Sequence, residues 1–124
     1  MKTIAVIEDN ADNRLLLRAL LDERFHIVEF ETGADAVAGL AHAGAELVLL
    51  DISLPGMDGV EVLTRLRGDA RTRPLPIVAL TAHAMAGDRE AYLRAGFDDY
   101  VTKPIVDETV LFDAIDRQLG KSAA

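Results

Sequence analysis

Short apolar runs and longer stretches of helical periodicity alternate along the whole chain. The runs Thr3–Ile7, His26–Phe30, Leu47–Leu50, Ile77–Leu80 and Tyr100–Thr102 are bounded by polar or turn-forming residues and read as strands. Leu47–Leu50 and Ile77–Leu80 offer apolar side chains to both faces, as strands covered by helices on each side do. Helical patterns fill roughly 11–23, 34–43, 59–67, 84–95 and 108–119. In the first of these, Asn13, Leu16, Leu17, Leu20 and Leu21 recur at i, i+3, i+4, i+7 and i+8, a stripe predicted to pack on the sheet. Leu15 falls outside that stripe. Gly44, Gly68, Gly96 and Gly120 each follow a helical stretch and are predicted to be left-handed caps. Asp58 and Asp107 stand where N-caps are expected. Five β and five α elements in alternation predict an α/β fold, a (βα)5 parallel sheet with right-handed crossovers and helices on both faces. The chain reads as one domain over residues 1–124, its last helix ending near Leu119 and no second domain expected after it.

Composition narrows the classes of function. Half the residues are hydrophobic and about a quarter charged, a globular balance. Thirteen Lys and Arg against 21 Asp and Glu give a net charge of −8, which repels nucleic acid and favours cations and basic partner surfaces. The tightest basic cluster, Arg65, Arg67, Arg71 and Arg73, is interrupted by Gly68 and Asp69. No cysteine is present, so disulfides, thiolate metal sites and thiol nucleophiles are excluded. The longest aliphatic run, Leu47–Leu50, is too short to cross a bilayer, and Glu8 and Asp9 interrupt any N-terminal signal. A soluble cytoplasmic protein, binding neither membrane nor nucleic acid, is the expectation.

In open parallel sheets, ligands gather beyond the carboxyl ends of the strands. Here the first strand ends in Glu8-Asp9, the third in Asp51, the fourth in Thr81, and the fifth runs into Lys103-Pro104. Three carboxylates, one hydroxyl and one ammonium therefore converge on one pocket. At about 5 Å and an effective dielectric near 20, each carboxylate pair repels by roughly 3 kcal/mol. That is about two pKa units, so a proton or a cation must intervene. A hard divalent ion resolves the conflict, and Mg²⁺ suits a site with few carboxylates and several waters.

The ordered set Ile7-Glu8-Asp9-Asn10, Leu49-Leu50-Asp51 through Pro55-Gly56-Met57-Asp58-Gly59, Leu80-Thr81-Ala82 and Ala95-Gly96 through Asp99-Tyr100-Val101-Thr102-Lys103-Pro104 resembles the receiver domain of two-component response regulators, over essentially the whole chain. The resemblance implies a flavodoxin/CheY-like doubly wound sheet of strand order 2-1-3-4-5. It implies that Asp51 is the nucleophile that becomes an aspartyl phosphate, and that Thr81 and Lys103 donate to phosphoryl oxygens. Asp9, Asp51 and the backbone carbonyl of Ser53 would ligate Mg²⁺, with Glu8 assisting through a water. The Lys103–Pro104 peptide would be cis. Tyr100 would be the switch aromatic that moves inward behind Thr81. The phosphodonor would be a histidine kinase or a histidine phosphotransfer domain, docking on the first helix at Asn10, Asn13 and Leu15 with Ile105. The readout would be a protein partner. Such a domain catalyses only its own phosphorylation and dephosphorylation.

Glu8 departs from the commoner aspartate at the first acidic position. Ser53 and His83 occupy positions that tune phosphoryl lifetime in the family, although a loop histidine in solvent is the simpler reading of His83. His26 and His42 read as ordinary surface or strand residues, and Arg89, Tyr92 and Arg94 as a solvated helix face. The opening Glu8-Asp9-Asn10 and the run Ala82-His83-Ala84-Met85 look similar to phosphorelay regulators of the DivK type, but the same features occur in receivers carried by hybrid kinases. A haloacid-dehalogenase-like phosphatase also uses a strand-end aspartate; it wants a second acid two residues on, where Ser53 stands, and a cap domain. A degenerate docking module or a flavin binder fits poorly with an intact set of Asp9, Asp51, Thr81 and Lys103.

Overall fold

A computed structural model describes residues 1–82, 88–103, 105 and 107–123, with backbone alone at 88, 89 and 121–123. In chain order the elements are β1 (Thr3–Ile7), α1 (Ala11–Leu21), β2 (His26–Phe30), α2 (Gly33–Gly39) with a 3₁₀ turn over Leu40–His42, β3 (Leu47–Asp51), α3 (Gly59–Gly68), β4 (Ile77–Thr81), α4 (Asp88–Ala95), β5 (Asp99–Thr102) and α5 (Glu108–Ala123). All strands pair in parallel, in the order β2-β1-β3-β4-β5. The predicted fold class and strand order are therefore observed.

The two-sided strands produce two cores, one on each face of the sheet. Ile4, Val6, Leu49, Val78 and Leu80 face α1 and α5, where Leu17, Leu21, Leu111 and Ile115 meet them. Ala5, Ile7, Val48, Leu50, Ile77 and Ala79 face the opposite way, against Ala36, Leu40, Val62, Leu63 and Leu66. This alternation is the pleat's period of two, and it explains why β3 and β4 are apolar throughout.

Several predicted boundaries shift. β3 and β4 each run one residue further than predicted, so Asp51 and Thr81 are themselves strand residues. Leu16 is 45% exposed although it belongs to the apolar stripe of α1; the buried members of that helix are Leu17 and Leu21. Gly44 and Gly96 have the left-handed conformation expected of caps (φ 71° and 120°). Gly68 and Gly120 do not: Gly68 is the last residue of α3, and α5 continues through Gly120 to Ala123. Asp58 caps α3 by accepting from the Glu61 N–H at 2.9 Å, and Asp107 accepts from the Thr109 N–H at 3.0 Å ahead of α5.

Two arginines tie the layers together. From α3, Arg67 Nη1 donates to the carbonyls of Arg73 and Leu75, and Nη2 to the carbonyl of Gly96 and to Asp98 Oδ2. The same Asp98 oxygen accepts the N–H of Ile77 at 2.7 Å, fixing where β4 begins. From α5, Arg117 donates twice to the buried Asp99 Oδ2, which Gln118 also reaches. Burial raises the Asp99 carboxyl, but the Arg117 guanidinium and the Tyr100 N–H outweigh it and hold the group below its usual range.

The start of α3 lies against the backbone at Asp51. A methyl group on Gly59 would sit 2.7 Å from the Asp51 carbonyl oxygen and from Ile52 Cα, whereas one on Gly68 would meet nothing. Gly59→Ala should therefore lower the unfolding free energy by about 1–3 kcal/mol. Gly68→Ala should raise it by about 0.4–1 kcal/mol. Urea denaturation of the two variants beside the parent checks both signs.

Candidate functional site

The parallel register brings the carboxyl ends of β1, β3, β4 and β5 to one rim. Ile7 pairs with Leu50, Asp51 with Leu80, and Thr81 with Thr102. Glu8, Asp51, Thr81 and Lys103 are thus the residues at which adjacent strands stop. β1 and β3 flank the point where strand order reverses, the usual position of a ligand crevice in such sheets.

Glu8 is only 1% exposed, a rare situation for a glutamate. Its Oε2 accepts from Lys103 Nζ at 3.1 Å, and its Oε1 from Asn13 Nδ2 at 3.2 Å and the Asn10 N–H at 3.3 Å. Asn10 also caps α1 through its side chain, accepting from the Asn13 N–H at 3.0 Å. Arg14 Nη1 holds the carbonyls of Glu8 and Asp9 at 2.8 and 3.0 Å. The turn after β1 is therefore pinned by the first turn of the helix that follows it.

Asp51, 3% exposed, accepts from Lys103 Nζ at 3.1 Å through Oδ2 and from the Ser53 N–H at 2.9 Å through Oδ1. Lys103 is held in reach because its own N–H donates to the Thr81 carbonyl at 2.7 Å. One ammonium thus bridges two buried carboxylates. Asp9 stands exposed beside them, and Glu8, Asp9 and Asp51 each offer an oxygen within 4.8 Å of the others. Burial first, and the Asp51 carboxylate second, push the Glu8 carboxyl above its ordinary range despite Lys103. Burial pulls the Lys103 ammonium down, but its hydrogen bonds to Asp51 and Glu8 outweigh that and hold it above its ordinary value.

The predicted site residues Glu8, Asp9, Asp51 and Lys103 are therefore together. Ser53 is adjacent and exposed, with its N–H turned to Asp51. Thr81, buried at the end of β4, has its Oγ1 2.9 Å from the hydroxyl of Tyr92. Tyr100 is half-buried, its ring 6.1 Å from that of Tyr92. Tyr92 thus turns partly inward, against the expectation of a solvated face, and nothing in its sequence surroundings signals this. Leu16 lines a small cavity with Glu8, Asn13, Leu17, Lys103 and Ile105, which accounts for its exposure at the rim. Leu15 is 67% exposed on the same helix. His26 and His42 are surface residues. His83, Pro104 and the cis peptide expected there lie outside the described residues.

A 2-1-3-4-5 parallel sheet with an aspartate, an acidic pair, a threonine and a lysine at one rim is the architecture of a receiver domain. The chain belongs to the response regulator receiver domain family, whose model matches residues 4–116. It is 41% identical to the sensor protein GacS of Pseudomonas syringae pv. syringae over 82% of this chain, but spans only 12% of that protein's length. It is also 41% identical to an uncharacterised 14.6 kDa protein of Leptolyngbya boryana, covering 82% of this chain and 79% of that one. Among solved structures, the receiver domain of sensor histidine kinase PA1611 from Pseudomonas aeruginosa PAO1 superposes with a TM-score of 0.85 at 32% identity, covering 96% of this chain and 98% of that one. That structure holds a magnesium ion coordinated in its active-site cleft. The family is one of signalling domains shared by histidine kinases and response regulators.

The raised Glu8 carboxyl has a consequence for stability. Its neutral form favours the folded state; that contribution is complete below the ordinary carboxylate value of about 4.3 and is lost as pH rises through the higher folded-state value. With divalent cations chelated, the urea midpoint should fall as pH climbs through this region. Glu8→Gln should flatten that part of the profile, and an unchanged slope in the variant would contradict the assignment.

Proposed function

We propose that this domain accepts a phosphoryl group on Asp51 from a phosphohistidine donor, and that the resulting change of shape is read by a protein partner. The observation that carries this reading is the Lys103 ammonium lying 3.1 Å from both Asp51 Oδ2 and Glu8 Oε2, on a rim that also holds Asp9. Clustered acids around one nucleophilic carboxylate, with a cation at hand, are what phosphoryl transfer asks of a protein, since positioning and charge neutralisation do most of the work.

In the transfer, a carboxylate oxygen of Asp51 attacks phosphorus, the new O–P bond forms, and the bond from phosphorus to the donor's imidazole nitrogen breaks. The electron pair of that bond stays with the imidazole, and the product is an acyl phosphate. Lys103 donates to the transferred oxygens and leaves its present partners partly uncompensated. Thr81 donates its hydroxyl to another phosphoryl oxygen. Tyr100, packed beside Tyr92, follows Thr81 as the switch aromatic.

Three carboxylates within 4.8 Å, two of them buried, with Lys103 as their ion-pair partner among the described residues, form a donor set suited to a hard divalent cation. Asp9 and Asp51, the Ser53 carbonyl, and Glu8 through a water are the groups we assign to Mg²⁺. Bound there, the ion neutralises the acids and screens the incoming phosphoryl charge.

We read residues 1–124 as one receiver unit acting in the cytoplasm; no helix among the described residues is long and apolar enough to cross a membrane. The donor is a histidine kinase or histidine phosphotransfer domain, for which exposed Leu15, and Leu16 beside Ile105 and Lys103, offer an apolar landing on the first helix. The chemistry on Asp51 is self-modification, without turnover of a separate substrate.

Incubation with Mg²⁺ and acetyl phosphate should add one base-labile phosphoryl group at Asp51, detected by intact mass and peptide mapping. Asp51→Asn or chelation of the metal should abolish it. A modification that survives Asp51→Asn, or that forms equally well in chelator, would defeat the reading.

A further inference from the structure

The aromatic corner behind Thr81 contains an arrangement that the resemblance does not supply. Tyr92, on α4, holds its hydroxyl 2.9 Å from Thr81 Oγ1. Its ring is braced from two sides: edge-on to buried Phe97, at 6.1 Å and 89°, and tilted against Tyr100, at 6.1 Å and 41°. A phenol braced in this way presents its hydroxyl in a fixed direction. Thr81 is itself buried, and its backbone carbonyl accepts from Lys103, the residue whose ammonium reaches Asp51. Tyr92 therefore touches a buried strand-end hydroxyl whose residue is tied through its backbone to Lys103, and through Lys103 to Asp51.

The direction of this hydrogen bond follows from chemistry. A phenol is more acidic than an aliphatic hydroxyl and is the better donor of the two. With Tyr92 donating, a lone pair of Thr81 Oγ1 is occupied, and Thr81's own proton is turned away from Tyr92. A hydroxyl that accepts a hydrogen bond also becomes a stronger donor, because the two bonds polarise each other.

Resting on the phosphoacceptor reading above, we propose that Tyr92 is a positioning residue that aims and strengthens the Thr81 hydroxyl as a donor to the phosphoryl group on Asp51. It acts through Thr81 and does not touch the phosphoryl group. It also links Thr81 to Tyr100, its hydroxyl meeting the one and its ring the other.

The test uses beryllofluoride with Mg²⁺ as a mimic of the phosphoryl group, its binding followed by ¹⁹F NMR or calorimetry in the full chain. Tyr92→Phe keeps the ring and its packing on Phe97 and Tyr100 and removes only the hydroxyl. It should raise the half-saturating concentration about 2- to 10-fold, the effect of one neutral hydrogen bond. Thr81→Ala should raise it at least as much. In the Thr81→Ala background, Tyr92→Phe should have no further effect, whereas in Thr81→Ser, which keeps the hydroxyl, the full Tyr92→Phe effect should return. A merely structural role for Tyr92 would instead give the same loss in both backgrounds, and that additivity would overturn the proposal. So would unchanged or tighter binding in Tyr92→Phe. If the parent chain showed no saturable, Mg²⁺-dependent binding of beryllofluoride, the phosphoacceptor reading would fall first, which keeps the two failures apart.

Discussion

One ammonium shared between two buried carboxylates is the interaction on which the rest of the molecule depends. Lys103 holds Asp51 and Glu8 at once, which offsets part of the cost of burying the two acids side by side, since an unpaired buried charge is strongly unfavourable. The arrangement remains unbalanced, with two acids against one base and Asp9 at the edge. A pocket in that condition is suited to a hard divalent cation. The parallel sheet serves this by ending its strands at a common rim. The two arginine ties, Arg67 to Asp98 and Arg117 to Asp99, fix the opposite end of the sheet, where β4 and β5 begin.

Much of this was legible in the chain itself. Strands apolar on both faces, such as Leu47–Leu50 and Ile77–Leu80, announce a covered parallel sheet, and the residue that breaks each run is then a rim residue. Glu8, Asp51, Thr81 and Lys103 follow from that logic before any coordinates. What stayed hidden depends on contacts between elements. Leu16 fits the helical period of α1, yet it stands partly exposed in the lining of a small cavity. Gly120 looks like a stop signal, yet α5 continues through it. Tyr92 reads as part of a solvated face, and Arg67 only as a member of a broken basic cluster, because periodicity shows only which face of a helix a residue occupies. Where a long side chain ends is decided by the neighbouring layer, here the Asp98 turn for Arg67 and the end of β4 for Tyr92.

The relatives place the same module in different settings. The chain spans about an eighth of a sensor protein and most of a 14.6 kDa one. In this chain the clustered carboxylates Glu8, Asp9 and Asp51, with Lys103 and Thr81, all stand at the strand ends of one sheet. On the outside of this chain Leu15, Val60, Leu93 and Val110 are exposed.

The aromatic corner has a practical side. The chain has no tryptophan and two tyrosines, and both of these sit together beside Thr81. All of the protein's near-ultraviolet emission from tyrosine therefore originates within one side chain's reach of the end of β4. The molecule carries its own optical probe at the corner where chemistry on the rim would first be felt, without any label having to be attached.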